Sequence, residues 1–172
     1  YEQHLNDADS ALTCFDEVLD VMPGDSVALD QKDSIFTRQE NWDALLEVLD
    51  GKLEQADEDD ARIALWERTA IVHEEHREDF ESAILGYEEI LGIDGTHLGA
   101  LGALHRLQRV NGDFDSLSEV LRTLIDLRGE RGELDDRREL RLELAQVLVD
   151  DLDSAPAAVE VLRDVVGESP AD

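Results

Sequence analysis

Cysteine is nearly absent from this 172-residue chain: Cys14 is the only one, which excludes an intrachain disulfide and a zinc site built from cysteines. Long apolar runs are absent as well, since none approaches the roughly 18 to 20 residues that a membrane-spanning helix needs. Proline occurs only three times. Because helix breakers are few, and Leu, Ala, Glu, Asp and Arg are abundant, the composition predicts a folded, all-α protein.

Basic side chains are also scarce. The chain has 15 Lys and Arg against 44 Asp and Glu, which gives a formal net charge of −29. Nucleic acid and anionic membranes are therefore unfavourable partners, because such a chain repels both at long range. A basic protein partner is compatible with this charge. So is a generally acidic surface that reflects a saline habitat or an arginine-favouring genome, since Lys32 and Lys52 are the only lysines.

The chain repeats itself when it is aligned with its own sequence. Residues 7–12 correspond to residues 79–84, and residues 41–49 correspond to residues 113–121, both at an offset of 72 positions. Residues 154–159 form a further copy of the first type. A repeat of 34 to 41 residues accommodates two antiparallel helices and two short turns. A lone hairpin cannot bury its apolar face, so neighbouring hairpins must pack together.

The five repeated helices share one plan. Each is predicted to start at a residue that can cap a helix, and these residues are Asp7, Asn41, Asp79, Asp113 and Ser154. Core positions follow four and eight residues later on one helical face. They are Ala11 and Phe15, Leu45 and Leu49, Ala83 and Tyr87, Leu117 and Leu121, and Ala158 and Leu162. The partner helices are predicted at Ser26 to Arg38, Asp59 to His76, Thr96 to Val110 and Leu134 to Asp150.

These helices resemble the second helix of the tetratricopeptide repeat, which reads Ala-x3-aromatic and closes on proline about a dozen residues after the Ala. Three copies carry the pattern to different degrees: Ala11, Phe15 and Pro23; Ala83 and Tyr87 with Gly95 in the proline place; and Ala158 and Pro170 without the aromatic residue. The other two copies place Leu45 and Leu117 where the family has a small residue. Lys52 stands where an apolar residue is expected.

The resemblance implies a right-handed α-solenoid of antiparallel helical hairpins, about five repeats with the first truncated. The expected units span residues 1–24, 25–57, 58–94, 95–132 and 133–172. The first residues look like the end of a helix, so we expect the chain to be one segment of a longer polypeptide. The resemblance to the tetratricopeptide repeat also implies a protein-interaction scaffold, whose first helices line a groove for an extended peptide or a partner helix. The groove residues expected from this analogy are Asp30, Ser34, Arg68, Val72, Glu75, Arg106 and Arg109.

Few residue patterns in the chain suggest chemistry. His73 and His76 lie one turn apart and offer two imidazoles to a metal, but the spacing does not match a metalloprotease motif. The run 57–60 has the charge of a calcium loop without its alternating ligands or its central glycine. We expect a solvated loop there, with Asp59 or Asp60 starting the next helix. No phosphate loop, nucleophile motif or dinucleotide motif occurs, so we expect no enzymatic activity and no cofactor.

Three functions are compatible with these observations. The first is a scaffold that binds a protein or peptide, with a basic segment facing the acidic first hairpins. The second is an architectural spacer of a larger multidomain protein, without a peptide groove. The third is a metal or small-molecule binding module that uses His73, His76 and the acidic loops. The sequence does not determine the oligomeric state or the cellular compartment.

Overall fold

The computed structural model of the protein describes residues 2–167, with the side chains of residues 7–167. Within this part of the chain there are nine α-helices, one π-helical turn and no strand, so the all-α prediction is confirmed. The helices are α1 (Glu2–Val21), α2 (Ser26–Gln39), α3 (Trp42–Leu53), α4 (Asp59–Ile71), α5 (Phe80–Ile93), α6 (Leu98–Asn111), α7 (Phe114–Glu130), α8 (Leu134–Asp150) and α9 (Ala155–Gly167). The π-helical turn, Val72–His76, directly continues α4.

The chain forms two compact units, Tyr1–Ile93 and Asp94–Asp172. In unit 1, α1 packs on α2 and precedes two helical hairpins, α2 with α3 and α4 with α5. In unit 2 the hairpins are α6 with α7 and α8 with α9, and α8 also packs against α7. In both units, helices that are adjacent in sequence pack together, as expected for hairpins joined by short turns.

Four of the five predicted helix starts are correct, because α3, α5, α7 and α9 begin at the residue after the expected cap. The Oδ1 atoms of Asn41, Asp79 and Asp113 each accept a hydrogen bond from the amide three residues on, at 3.4, 3.1 and 3.2 Å. At Ser154 the backbone oxygen accepts from Ala158 N at 3.1 Å. The prediction for Asp7 is wrong. It lies within α1, because residues 2–6 contain no helix breaker that would stop the helix before it.

The predicted core is confirmed at seven of its ten positions. The buried residues are Leu45, Leu49, Ala83, Tyr87, Leu117, Leu121 and Ala158. Ala11 and Phe15 are only half-buried, and Leu162 is 38% exposed. These three corrections fall on α1 and α9, each of which packs chiefly on one neighbouring helix, α2 and α8 respectively. A helix covered on one side buries only one part of its apolar surface.

Pro170, assigned above to the end of the last repeat, lies outside the described residues.

Candidate partner-binding surfaces

An ion-pair network joins three helices of unit 1 around Asp33, which lies on α2 and is only 6% exposed. Arg68 of α4 binds its carboxylate with both terminal nitrogens, Nη1 at 2.6 Å from Oδ2 and Nη2 at 2.5 Å from Oδ1. Lys52 of α3 donates from Nζ to Oδ2 at 2.5 Å and also lies 2.8 Å from Oδ1 of Asp30. Two-point contact of this kind fixes geometry as well as charge.

The pKa of Asp33 reflects two opposing effects. Burial disfavours the charged carboxylate and would raise the pKa, but the hydrogen bonds from Arg68 and Lys52, and the positive charges of both, outweigh it. The pKa therefore lies below the ordinary aspartate value. The network also explains the unexpected residue in the repeat: Lys52 replaces an apolar side chain because it reaches a buried carboxylate. The sequence analysis did not identify Asp33. The feature that could have indicated it is a charged residue at one of the apolar positions of α2.

The structure places the predicted groove residues of unit 1 in different environments. Asp30 and Arg68 meet through the Asp33 network. Ser34 is exposed on α2, and its backbone oxygen accepts from Arg38 Nε at 3.0 Å. Glu75 is exposed in the π-helical turn. The prediction for Val72 is corrected: it is 3% exposed and packs in the core with Leu45 and Leu49, so its side chain lines no surface.

In unit 2 a second ion-pair cluster joins the first helices of the two hairpins. Nε2 of His105 on α6 lies 2.5 Å from Oε1 of Glu143 on α8, and Arg109 donates from Nη2 to the same oxygen. Arg106 is exposed on α6 one residue after His105. Of the two groove residues predicted in unit 2, Arg109 is thus paired with α8, and Arg106 lies on the same α6 surface. His105 and Glu143 were not anticipated.

The two clusters occupy equivalent repeat positions, with the acidic side chain on the earlier helix in one and on the later helix in the other. Asp33 and His105 are separated by the 72-residue repeat offset, and Arg68 and Glu143 by the 75-residue offset of the following helices. In unit 1 the acid is on the earlier helix and the base on the later one, whereas in unit 2 this order is reversed. Each unit therefore joins its first helices through a polar side-chain contact at the same position along the helix.

The two candidate metal-binding histidines contact protein groups. Nδ1 of His73 lies 3.4 Å from Oδ2 of Asp79. The imidazole of His76 stacks on the indole of Trp42, with ring centroids 3.8 Å apart and an angle of 3° between the planes. Arg77, the next residue, pairs with Asp43 beside that indole. Across residues 7–167 the structure contains no group of three or more His, Cys, Asp or Glu side chains arranged to hold a metal ion.

A shallow depression of about 290 Å³ lies in unit 1 between the start of α4 and the end of α5. Its lining is mostly polar and consists of Asp59, Arg62, Glu89, Gly92 and Ile93. As predicted, Asp59 starts α4. Arg62 Nη1 and Asp59 Oδ1, one turn apart on α4, are 3.7 Å apart. The apolar walls typical of small-molecule sites are missing from this depression.

No helix in the described part of the chain combines the length and the apolar character needed to cross a membrane.

The sequence matches no family model and none of the curated proteins. The similar solved structures align with nearly the whole chain but share little sequence identity with it. Two crystal structures of MamA share 12% identity with the chain and cover 96% of it, and their own chains are covered to 91% and 85%, with TM-scores of 0.50 and 0.51.

A thermophilic TPR protein from Thermus thermophilus shares 16% identity, with 93% of each chain covered and a TM-score of 0.37. A TM-score this low adds nothing to the fold assignment, and identities this low carry information on the fold alone. The MamA matches extend over nearly the whole chain and agree with the helical hairpins of both units. The chain has a tetratricopeptide-like, all-α fold of helical hairpins.

Proposed function

We propose that this chain is a protein-binding scaffold, acting through binding rather than catalysis, and that its first helices carry the binding surfaces. The observation that supports this most directly is the way these helices are joined. Asp33 with Arg68 in unit 1, and His105 with Glu143 in unit 2, hold successive first helices side by side. The joined helices leave further charged side chains exposed beside each cluster, such as Glu75 and Arg106.

We propose a basic protein segment as the partner of unit 1. This unit has 26 acidic and six Lys or Arg side chains, which gives it a net charge of −20. Its basic groups Lys52 and Arg68 are already bound to aspartates, so they do not offset the acidic surface for an incoming ligand. Complementary charge accelerates association and selects partners by sign. Nucleic acid and anionic membranes are not expected partners of such a surface.

Unit 2 differs in charge and is proposed to prefer a different segment. It contains nine arginines and 18 acids, a net charge of −9, and eight of the chain's 13 arginines fall between Arg106 and Arg141. Arg106 and Arg109 are both exposed on α6, within this arginine-rich stretch. We propose that an acidic segment of a partner binds there.

The test uses two fluorescein-labelled 15-residue peptides of alternating residues, Lys with Ser and Glu with Ser, titrated into the full chain. The Lys peptide is expected to bind saturably, with a Kd that rises with salt because exposed charges are screened beyond about 8 to 10 Å at physiological ionic strength. Glu67→Lys with Glu75→Lys, both exposed and flanking Arg68, should weaken it several-fold. Arg106→Glu should weaken the Glu peptide selectively.

Two matched variants separate a defined surface from a general acidic coat. Glu47→Lys with Asp50→Lys makes the same charge change on exposed positions of α3, and Arg122→Glu repeats the arginine reversal on exposed α7. Both should change the corresponding Kd less than twofold. Equal weakening by the test and control variants, or binding without a defined stoichiometry, would show a general electrostatic coat and refute the proposed surfaces.

A further inference from the structure

Three second helices of the hairpins share a Glu-Val-Leu segment, and its leucine has two different environments. The leucine is Leu49 in α3, Leu121 in α7 and Leu162 in α9. Leu49 and Leu121 are both 0% exposed, whereas Leu162 is 38% exposed. The contrast continues one turn later, where Ile125 of α7 is 6% exposed and its equivalent in α9, Val166, is 74% exposed.

The helix that follows each buried leucine supplies part of its cover. In unit 1, Leu65 of α4 and Val72, at the start of the π-helical turn that continues it, pack in the cluster that contains Leu49. In unit 2, Leu140 and Val147 of α8 pack in the cluster that contains Leu121. In both cases the covering helix is the first helix of the next hairpin, and it presents a leucine and a valine seven positions apart, on one helical face.

The corresponding surface of α9 is apolar and uncovered in the described chain. Ala155, Val159, Leu162 and Val166 are spaced four, three and four residues apart, so they form one stripe along the helix. Val159 is 47% exposed, and Ala155 is exposed as well. A contiguous apolar stripe of this kind, unlike scattered apolar side chains, indicates an interaction surface.

We propose that the α9 stripe docks the first helix of a further helical hairpin, an amphipathic helix with a leucine and a valine seven positions apart. The internal correspondence identifies this occupant, because α4 and α8 occupy the equivalent place against α3 and α7. In a second copy of this chain the faces of Leu65 with Val72 and of Leu140 with Val147 are packed inside their own units. Such a copy also exposes Leu142 and Val149, seven positions apart on α8, so it is the alternative occupant that the oligomeric state tests.

The probe for this surface is a synthetic peptide of residues 133–151, which carries Leu140 and Val147. A hydrocarbon staple between positions 138 and 142, both exposed in α8, keeps it helical, since an isolated helix of this length is marginal in water. Labelled with fluorescein and titrated with the full chain, it is expected to bind saturably at one peptide per chain. A stapled peptide with Leu140→Glu and Val147→Glu should not bind.

The chain variant Leu162→Glu with Val166→Glu is expected to weaken peptide binding at least tenfold. These positions are exposed, so the variant should keep its helical circular dichroism. The matched control, Leu142→Glu with Val149→Glu, replaces two α8 side chains that are 46% and 49% exposed, and its Kd should stay within twofold of the parent.

Sedimentation velocity completes the test, and the parent is expected to be a monomer. A parent dimer that Leu162→Glu with Val166→Glu dissociates would identify a second copy as the occupant and overturn the proposal. Absence of peptide binding to a monomeric parent, or equal loss in the control variant, would overturn it too. This surface is separate from those of the proposed function, so either proposal can fail while the other holds.

Discussion

The carboxylate of Asp33 and the guanidinium of Arg68 form a two-point ion pair between α2 and α4, with N–O distances of 2.6 and 2.5 Å. The equivalent positions in unit 2 hold His105 and Glu143, so a contact between first helices occurs there too, with the acidic side chain on the later helix. Both clusters lie beside exposed charged side chains. They position the helices that we propose to bind a partner, and their loss should be measurable first as a loss of stability.

Asp33→Asn should destabilise unit 1 by about 2 to 3 kcal/mol, because it leaves Arg68 and the half-buried Lys52 without their shared carboxylate. The partial exposure of Arg68 keeps the cost below that of a fully buried pair. Both tryptophans, Trp42 and Trp66, lie in unit 1, so urea unfolding followed by tryptophan fluorescence reports on this unit. Asp30→Asn, which removes an exposed partner of Lys52, should cost less than about 1 kcal/mol. Similar costs for the two variants would contradict the central role of Asp33.

The stabilisation that Asp33 gives to the folded state should decrease at acidic pH. Its pKa is lowered in the folded state, so its contribution is complete above the ordinary aspartate pKa of 3.8 and is lost as the pH falls through the folded value. The difference in unfolding free energy between the parent and Asp33→Asn should therefore be constant from pH 7 to about 5 and shrink below about pH 4. Taking the difference cancels the titration of the other carboxylates. A difference that does not change at low pH would refute this assignment.

The sequence predicted local features well because they depend on neighbouring residues. The caps at Asn41, Asp79 and Asp113, and the core leucines of α3 and α7, follow from spacing along one helix. Contacts between helices were not predictable in the same way. The pair between Asp33 and Arg68 joins residues 35 positions apart, and its partners are set by how α2 and α4 pack.

The exposure of Leu162 is a second case in which local pattern was insufficient. Its sequence context matches that of Leu121, but burial depends on whether another helix covers the face. The buried position of Val72 also depends on packing, because family analogy placed it on a groove while it lies in the core with Leu45 and Leu49. Sequence periodicity defines which residues are apolar, whereas packing decides which of them are covered.

Ala83→Glu should destabilise unit 1 by about 3 to 5 kcal/mol, because it places an unpaired charge at a position that is 0% exposed. Leu85→Glu introduces the same side chain into α5 at a position that is 58% exposed, and its cost should be below about 0.5 kcal/mol. Thermal denaturation of the two variants and the parent provides the comparison. Equal melting temperatures for Ala83→Glu and the parent would show that the packing of α5 described here is wrong.

His76→Ala should cost about 1 kcal/mol, because it removes the parallel stack on Trp42 that joins the π-helical turn to the start of α3. The neighbouring variant Glu75→Ala changes an exposed side chain of the same turn and should be close to neutral. Urea unfolding of unit 1, followed by fluorescence, measures both effects. If His76→Ala were as stable as Glu75→Ala, the stack would contribute nothing to holding the turn.

The two aspartates Asp113 and Asp7 test the corrected start of the first helix, since the sequence pattern assigned both to capping positions. Oδ1 of Asp113 accepts from Ser116 N at 3.2 Å and satisfies an amide at the start of α7, so Asp113→Ala should cost about 1 kcal/mol. Asp7 is an exposed residue inside α1, where alanine is the better helix former, so Asp7→Ala should be neutral or slightly stabilising. Urea unfolding followed by far-UV circular dichroism detects both helices, including α7 in unit 2, which has no tryptophan. A loss of about 1 kcal/mol in Asp7→Ala would restore Asp7 as a cap and place the start of α1 after it.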